Sequence, residues 1–189
     1  MNNHLDRLAN EFKVTEAAVQ RRALVNTENG RKTALKELIG EKAIKMYNVW
    51  ERLFPGYNSV KRCTSTKLQR AGVDFIIDED TFIDIKVDSG PDYGNIIPIE
   101  LRQNRVFTML PSKKTDYILH IIIDDYKRRA VLIDYQWLSK LAHKVAVCQV
   151  NGQPTPFQIF TSNNGTGEYI KLDYTTLPAE SKAVVLDLC

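Results

Sequence analysis

Asp74, Asp84 and Lys86 are the residues of this chain whose types and spacing best suit chemistry. They fall in two short runs rich in β-branched and aromatic residues, Val73 to Ile77 and Phe82 to Val87, separated by Asp78-Glu79-Asp80. Such runs around a polar turn predict a β-hairpin. Side chains alternate along a strand, so Phe82, Asp84, Lys86 and Asp88 share one face, while Ile83, Ile85 and Val87 share the other. Pairing across the short turn brings Asp74 towards Asp84. Two carboxylates offer hard oxygen ligands that suit Mg²⁺ or Mn²⁺. A metal held there polarises a phosphoryl oxygen and lowers the pKa of a bound water. Lys86 then positions that water or neutralises charge developing on the phosphate.

The acid-x-lysine triplet alone is unspecific, because it occurs four times: Glu11-Lys13, Asp84-Lys86, Asp125-Lys127 and Glu180-Lys182. The first lies in a helical pattern, and the last lacks strand character. The third, preceded by Asp116, reads as a solvated hairpin turn in which charges need no function. Only Asp84-Ile85-Lys86 sits inside a strand with apolar flanks, where burying a charge without partners is costly.

With Gly40-Glu41 in a preceding helix, then Gly72-Val73-Asp74, then Ile83-Asp84-Ile85-Lys86, residues 33–135 resemble the PD-(D/E)XK superfamily of restriction-endonuclease-like nucleases. The resemblance implies an α/β fold: a restriction-endonuclease-like core with a central mixed β-sheet flanked by helices. It implies metal-site roles for Glu41, Asp74, Asp84 and the Ile85 carbonyl, and a catalytic role for Lys86 beside the three acids. Val73 stands where the superfamily's name has proline. Glu37 lies one turn from Glu41 and competes for the helix position. Glu100, in Asn95-Ile-Ile-Pro-Ile-Glu100, is a secondary candidate, because phage-like members carry a comparable segment. Gln103 and Arg105 are candidates for phosphate contact.

Around this core, Leu5, Leu8, Ala9 and Phe12 recur at helical spacing, and Thr15 caps a second helix from Glu16 to about Leu24. The pair resembles a helix-turn-helix, which would display Ala17, Gln20, Arg21 and Arg22 to DNA. The alternative is a helical arm that packs on the core or joins a homodimer. Asn26 to Gly30 reads as a turn-rich linker, and a long amphipathic helix is expected from about Lys32 to Phe54, stopped by Pro55-Gly56. Gly40 weakens its middle unless something packs closely there. Further strands are expected at Val60 to Thr64, Tyr117 to Ile123 and Ala130 to Ile133, with Ser89 to Gly94 as a loop. Ile96 to Leu101 reads as a strand or as the lead into a helix. A helix follows over Tyr135 to about Val145, then turns at Asn151-Gly152 and Asn163-Asn164-Gly165 and strand patches at Phe157 to Phe160 and Tyr169 to Leu172. The expected division is a short helical N-terminal extension over 1–30, a nuclease-like core over 31–145 and a C-terminal extension with strands over 146–189.

The charge is unevenly spread. Residues 1–72 carry 14 Lys and Arg against seven Asp and Glu, whereas residues 73–189 carry 12 against 16. A basic first third suits a polyanionic partner such as DNA. No apolar run reaches the ~18 residues of a membrane span, and the N-terminus has no signal-peptide core. Those features predict an intracellular, cytoplasmic protein that binds no membrane. Cys63, Cys148 and Cys189 form neither a disulfide framework nor, with His4, His120 and His143, a zinc-ligand pattern. The expected function is a metal-dependent DNA endonuclease of phage biology, recombination, repair or restriction. The competing one is a DNA-binding regulator with a helix-turn-helix-like N-terminus and a catalytically silent nuclease fold.

Overall fold

Helices open the chain where side chains cap them. Thr15 Oγ1 accepts from the Ala18 amide and starts α2 (Glu16–Arg22), after α1 (Asn3–Glu11). Thr27 Oγ1 accepts from the Gly30 amide and starts α3 (Glu28–Met46). The cap overrides the turn signal of Asn29-Gly30, so the helix begins inside the stretch expected to be a linker. The long helix also divides earlier than Pro55-Gly56. Asn48 adopts a left-handed conformation, and α4 (Val49–Leu53) restarts after it.

A computed structural model describes residues 3–22, 27–89, 94–104, 106–110, 113–124, 127–162 and 165–188. Leu24 of the expected second helix, residues 90–93 of the expected loop, Arg105, Asp125, Asn163, Asn164 and Cys189 lie outside the described residues.

The fold is mixed α/β, with a mixed central sheet flanked by helices. The sheet contains β1 (Val60–Arg62), β2 (Phe75–Ile77), β3 (Thr81–Ser89), β6 (Tyr117–Ile123), β7 (Arg128–Asp134) and β10 (Val184–Asp187), adjacent in that order. Only β3 and β6 run parallel; the other pairs are antiparallel. A second, antiparallel sheet has the order β5-β4-β9-β8, built from β4 (Ile96–Gln103), β5 (Val106–Phe107), β8 (Ile159–Thr161) and β9 (Gly167–Asp173). The C-terminal segment therefore contributes strands to both sheets. The short helix α5 (Thr66–Arg70) precedes β2 and is capped by Ser65.

Alternation assigns the two faces of the central sheet to two cores. Ile83, Leu119, Ile121 and Leu132 pack with Leu5, Leu8, Phe12, Val19, Leu35 and Ile39, so α1 and α2 share a core with α3 and the sheet. Both N-terminal helices thus pack against α3. Ile118, Ile122, Val131 and Ile133 face the other way, towards the second sheet and the buried side of α6 (Tyr135–Val150). Gly40 is where α3 meets β3, and a Cβ there would collide with Val87 Cγ2. The backbone approach explains a glycine that helix propensity disfavours.

Candidate active site

The hairpin register decides which acids meet. Phe75 pairs with Ile83, and the Asp74 amide donates to the Ile83 carbonyl (2.8 Å), which sets Asp74 beside Asp84. Asp78 and Glu79 take positive φ values of 49° and 71°, giving the tight turn that fixes this register. Asp78 Oδ1 also accepts from the Asn58 and Ser59 amides, locking the turn. Asp74 Oδ2 accepts from the Ile85 amide at 2.8 Å.

Asp84 is buried, with 5% of its surface exposed. Lys86, on the same face of β3, donates from Nζ to Asp84 Oδ1 at 2.8 Å. Burial pushes the Asp74 carboxyl up to about 6, and the neighbouring Asp84 carboxylate pushes the same way against the Ile85 hydrogen bond. Burial works against the Lys86 ammonium, yet Asp84 foremost, with Asp74 and Glu100, holds it above the ordinary lysine value. Burial, ahead of the neighbouring acid, is thus what holds the Asp74 carboxyl up.

Two further charged groups join them. Burial raises the Glu100 carboxyl, opposed by Lys86 and Lys113. Burial lowers the Lys113 ammonium, opposed mainly by Asp84. Thr115 Oγ1 donates to the Gly72 carbonyl at 2.9 Å, tying the segment that carries Lys113 to the start of the hairpin. Gly72 has φ +81°, and a Cβ there would lie 3.5 Å from Lys113 Nζ and 3.6 Å from Asp84 Oδ2. Those are ordinary contact distances, so it is the positive φ that favours glycine in Gly72-Val73-Asp74.

Asp84, Lys86, Asp88, Glu100, Gln103, Lys113 and His120 line one cleft of about 450 Å³ between the two sheets. Of the expected residues, Asp74, Asp84 and Lys86 come together, and Glu100 and Gln103 line the cleft with Asp84 and Lys86. Glu41 is engaged elsewhere. Arg22 Nη2 lies 2.9 and 3.1 Å from its two carboxylate oxygens, and Arg62 Nη1 lies 3.1 Å from Oε1. Arg22 also reaches Glu37 at 3.4 Å, so its guanidinium is spent within the fold. Arg21 is exposed at the end of α2, and Arg105 lies outside the described residues.

Lys113 went unforeseen because Lys113-Lys114 sits outside any periodic pattern. Asp88 and His120 also went unforeseen, although a histidine in the apolar run Tyr117 to Ile123 is a polar group in a strand buried on both faces. Such a group needs a partner, and His120 Nδ1 meets Asp88 Oδ2 at 2.7 Å.

Among the described residues, no group of three or more His, Cys, Asp or Glu is arranged to hold a metal ion. The side-chain oxygens that could serve one are those of Asp74 and Asp84. Mg²⁺ often takes only one or two carboxylates, with waters and substrate phosphate completing its shell. The donor set fits such an ion, and so does the raised Asp74 carboxyl, since a cation relieves the repulsion between paired acids. No protein-family model and no curated protein matches the chain. No helix among the described residues is long and apolar enough to cross a membrane.

Proposed function

We propose that this chain is a divalent-metal-dependent endonuclease that hydrolyses DNA phosphodiester bonds on a restriction-endonuclease-like core. The observation that carries the reading is the Asp74–Asp84 pair across the β2–β3 hairpin, with Lys86 bonded to Asp84. Asp74 and Asp84, with the Ile85 carbonyl, would hold Mg²⁺ or Mn²⁺. Once bound, the ion supplies Lewis-acid polarisation of the phosphate and a water of lowered pKa. Lys86, anchored by Asp84, presents an ammonium to the phosphate oxygens as negative charge grows on them. Lys113 adds positive charge from the segment beside Gly72. Glu100 lies within electrostatic reach of both lysines and helps keep them charged. Glu41 enters the reaction only by exchanging Arg22 and Arg62 for the metal site.

The regulator reading draws less from the same observations. Val19 of α2 is buried in the main core, and Arg22 is bound to Glu37 and Glu41. Both features suit a helix that packs better than one free to enter a groove.

The test is conversion of supercoiled plasmid to nicked or linear DNA with Mg²⁺ or Mn²⁺. Activity should vanish with chelator and in Asp84→Asn. Full activity in Asp84→Asn, or no cleavage with either metal across plasmid and branched DNA, would overturn the proposal.

A further inference from the structure

The cleft extends beyond what a phosphate needs. At about 450 Å³ it falls within the size of pockets that enclose a whole small molecule. Its lining divides by chemistry. Lys86 and Lys113 supply positive charge among the acids Asp84, Asp88, Glu100 and Glu168, while Ile99, Met109, Ile118 and Tyr169 supply apolar surface, from both sheets. His120 adds one buried polar group. It is 2% exposed, and its Nε2 is buried with no hydrogen-bond partner among the described residues. Nδ1 meets Asp88 Oδ2, which holds the ring and leaves Nε2 as its unpartnered nitrogen. The cleft therefore carries a fixed, unfilled polar atom beside the Asp84–Lys86 pair. An unfilled buried polar atom is costly, so a hydrogen-bonding group from a ligand would be favoured there.

We propose that this cleft receives one unpaired nucleotide of single-stranded or branched DNA. Its phosphate lies towards Lys86 and Lys113, its base lies on the apolar walls, and a polar group of the base or sugar reaches His120 Nε2. The orientation rests on the nuclease reading above. A nucleotide inside a duplex is stacked and paired and enters such a pocket only after being flipped out. An unpaired nucleotide enters without that cost, and apolar and aromatic walls hold any base by its face. The substrate class would then be DNA with single-stranded character near the cut, such as flaps, gaps, loops or frayed ends. His120 is a binding residue in this scheme and Asp88 is its positioning residue.

The experiment measures binding apart from cleavage. The full chain, in chelator, is titrated into a fluorescent single-stranded 20-mer and into the same 20-mer as a blunt duplex. Tighter binding of the single strand by about tenfold is expected. Thr166→Trp, at a cleft-lining residue just before β9, should fill the space and bring single-strand affinity to the duplex level. His120→Gln should weaken single-strand binding several-fold while leaving duplex binding unchanged. If His120→Gln does not fold, Thr166→Trp decides. Equal affinity for both DNAs, or a folded Thr166→Trp that keeps the preference, would overturn the proposal. Plasmid nicking measured in parallel separates the two readings. Nicking without a strand preference sinks the cleft alone. A strand preference abolished by Thr166→Trp, with no cleavage in any metal, supports the cleft and sinks the nuclease.

Discussion

Asp74 and Glu41 are both acids that a nuclease of this pattern would bring to one metal, yet the fold treats them oppositely. Asp74 faces another acid, and its carboxyl is pushed up to about 6. Glu41 faces two guanidiniums, those of Arg22 and Arg62. The first is a buried acid whose charged form a nearby cation would favour. The second is already neutralised, so a cation would have to displace arginines. A carboxylate's presence in the right element therefore says less than the charge around it.

The largest expected effect of that contrast is on cleavage. Asp84→Asn and Lys86→Ala should each lower the cleavage rate by about 10²–10³-fold, the scale of losing one transition-state electrostatic group. Glu41→Gln should lower it by less than about tenfold, since its carboxylate is committed to arginines. Single-turnover cleavage of one plasmid with saturating Mg²⁺ ranks the three. A Glu41→Gln loss as deep as that of Asp84→Asn would show that Glu41 leaves its arginines to join the site.

A smaller effect should appear in stability against pH. The folded Asp74 carboxyl, at about 6, binds a proton more tightly than its ordinary value of 3.8 allows. Its contribution is unchanged below pH 4, falls as pH rises through about 6, and stays low above that. The full difference is at most roughly 3 kcal/mol. Asp74→Asn removes the buried charge and keeps an oxygen for the Ile85 amide. At pH 8 the variant should melt several degrees above the wild type, and near pH 4 the two should converge. Mg²⁺ should raise the wild-type melting temperature at pH 8 and have less effect on the variant. An Asn variant that is less stable at pH 8 would break the claim that the buried Asp74 charge is costly.

The hairpin was legible because three local signals agree there: apolar runs of strand length, an acidic turn, and charges confined to one face. Gly40 was legible as a close approach because nothing else explains glycine inside a capped amphipathic helix. The second sheet was not legible as a separate layer. Ile96 to Gln103 and Gly167 to Asp173 are far apart in sequence, and strand patterning does not say which strands pair. The boundary at Thr27 was missed because Asn29-Gly30 signals a turn strongly, while a cap works through one side-chain bond. Lys113 could not be found by pattern at all, since its place beside Asp84 depends on Thr115 binding the carbonyl of a left-handed Gly72.

The smallest effect expected is also the one that isolates Glu41. Its ion pairs with Arg22 and Arg62 are half-exposed, and pairs of that kind contribute about 0.5–1 kcal/mol. Glu41→Gln should therefore lower the melting temperature by only about 2–4 °C, given a domain of this size. Mg²⁺ should stabilise this variant at pH 8 as much as it stabilises the wild type, because the carboxylates proposed for the ion are Asp74 and Asp84. Thermal unfolding with and without Mg²⁺ checks both halves. If the Mg²⁺ increment disappears in Glu41→Gln but survives in Asp74→Asn, the two acids exchange roles and the metal lies on the α3 side of the hairpin. Equal increments in wild type and Glu41→Gln keep the arginine-bound acid as a clamp between α2, α3 and β1, with the metal chemistry on the far side of β3.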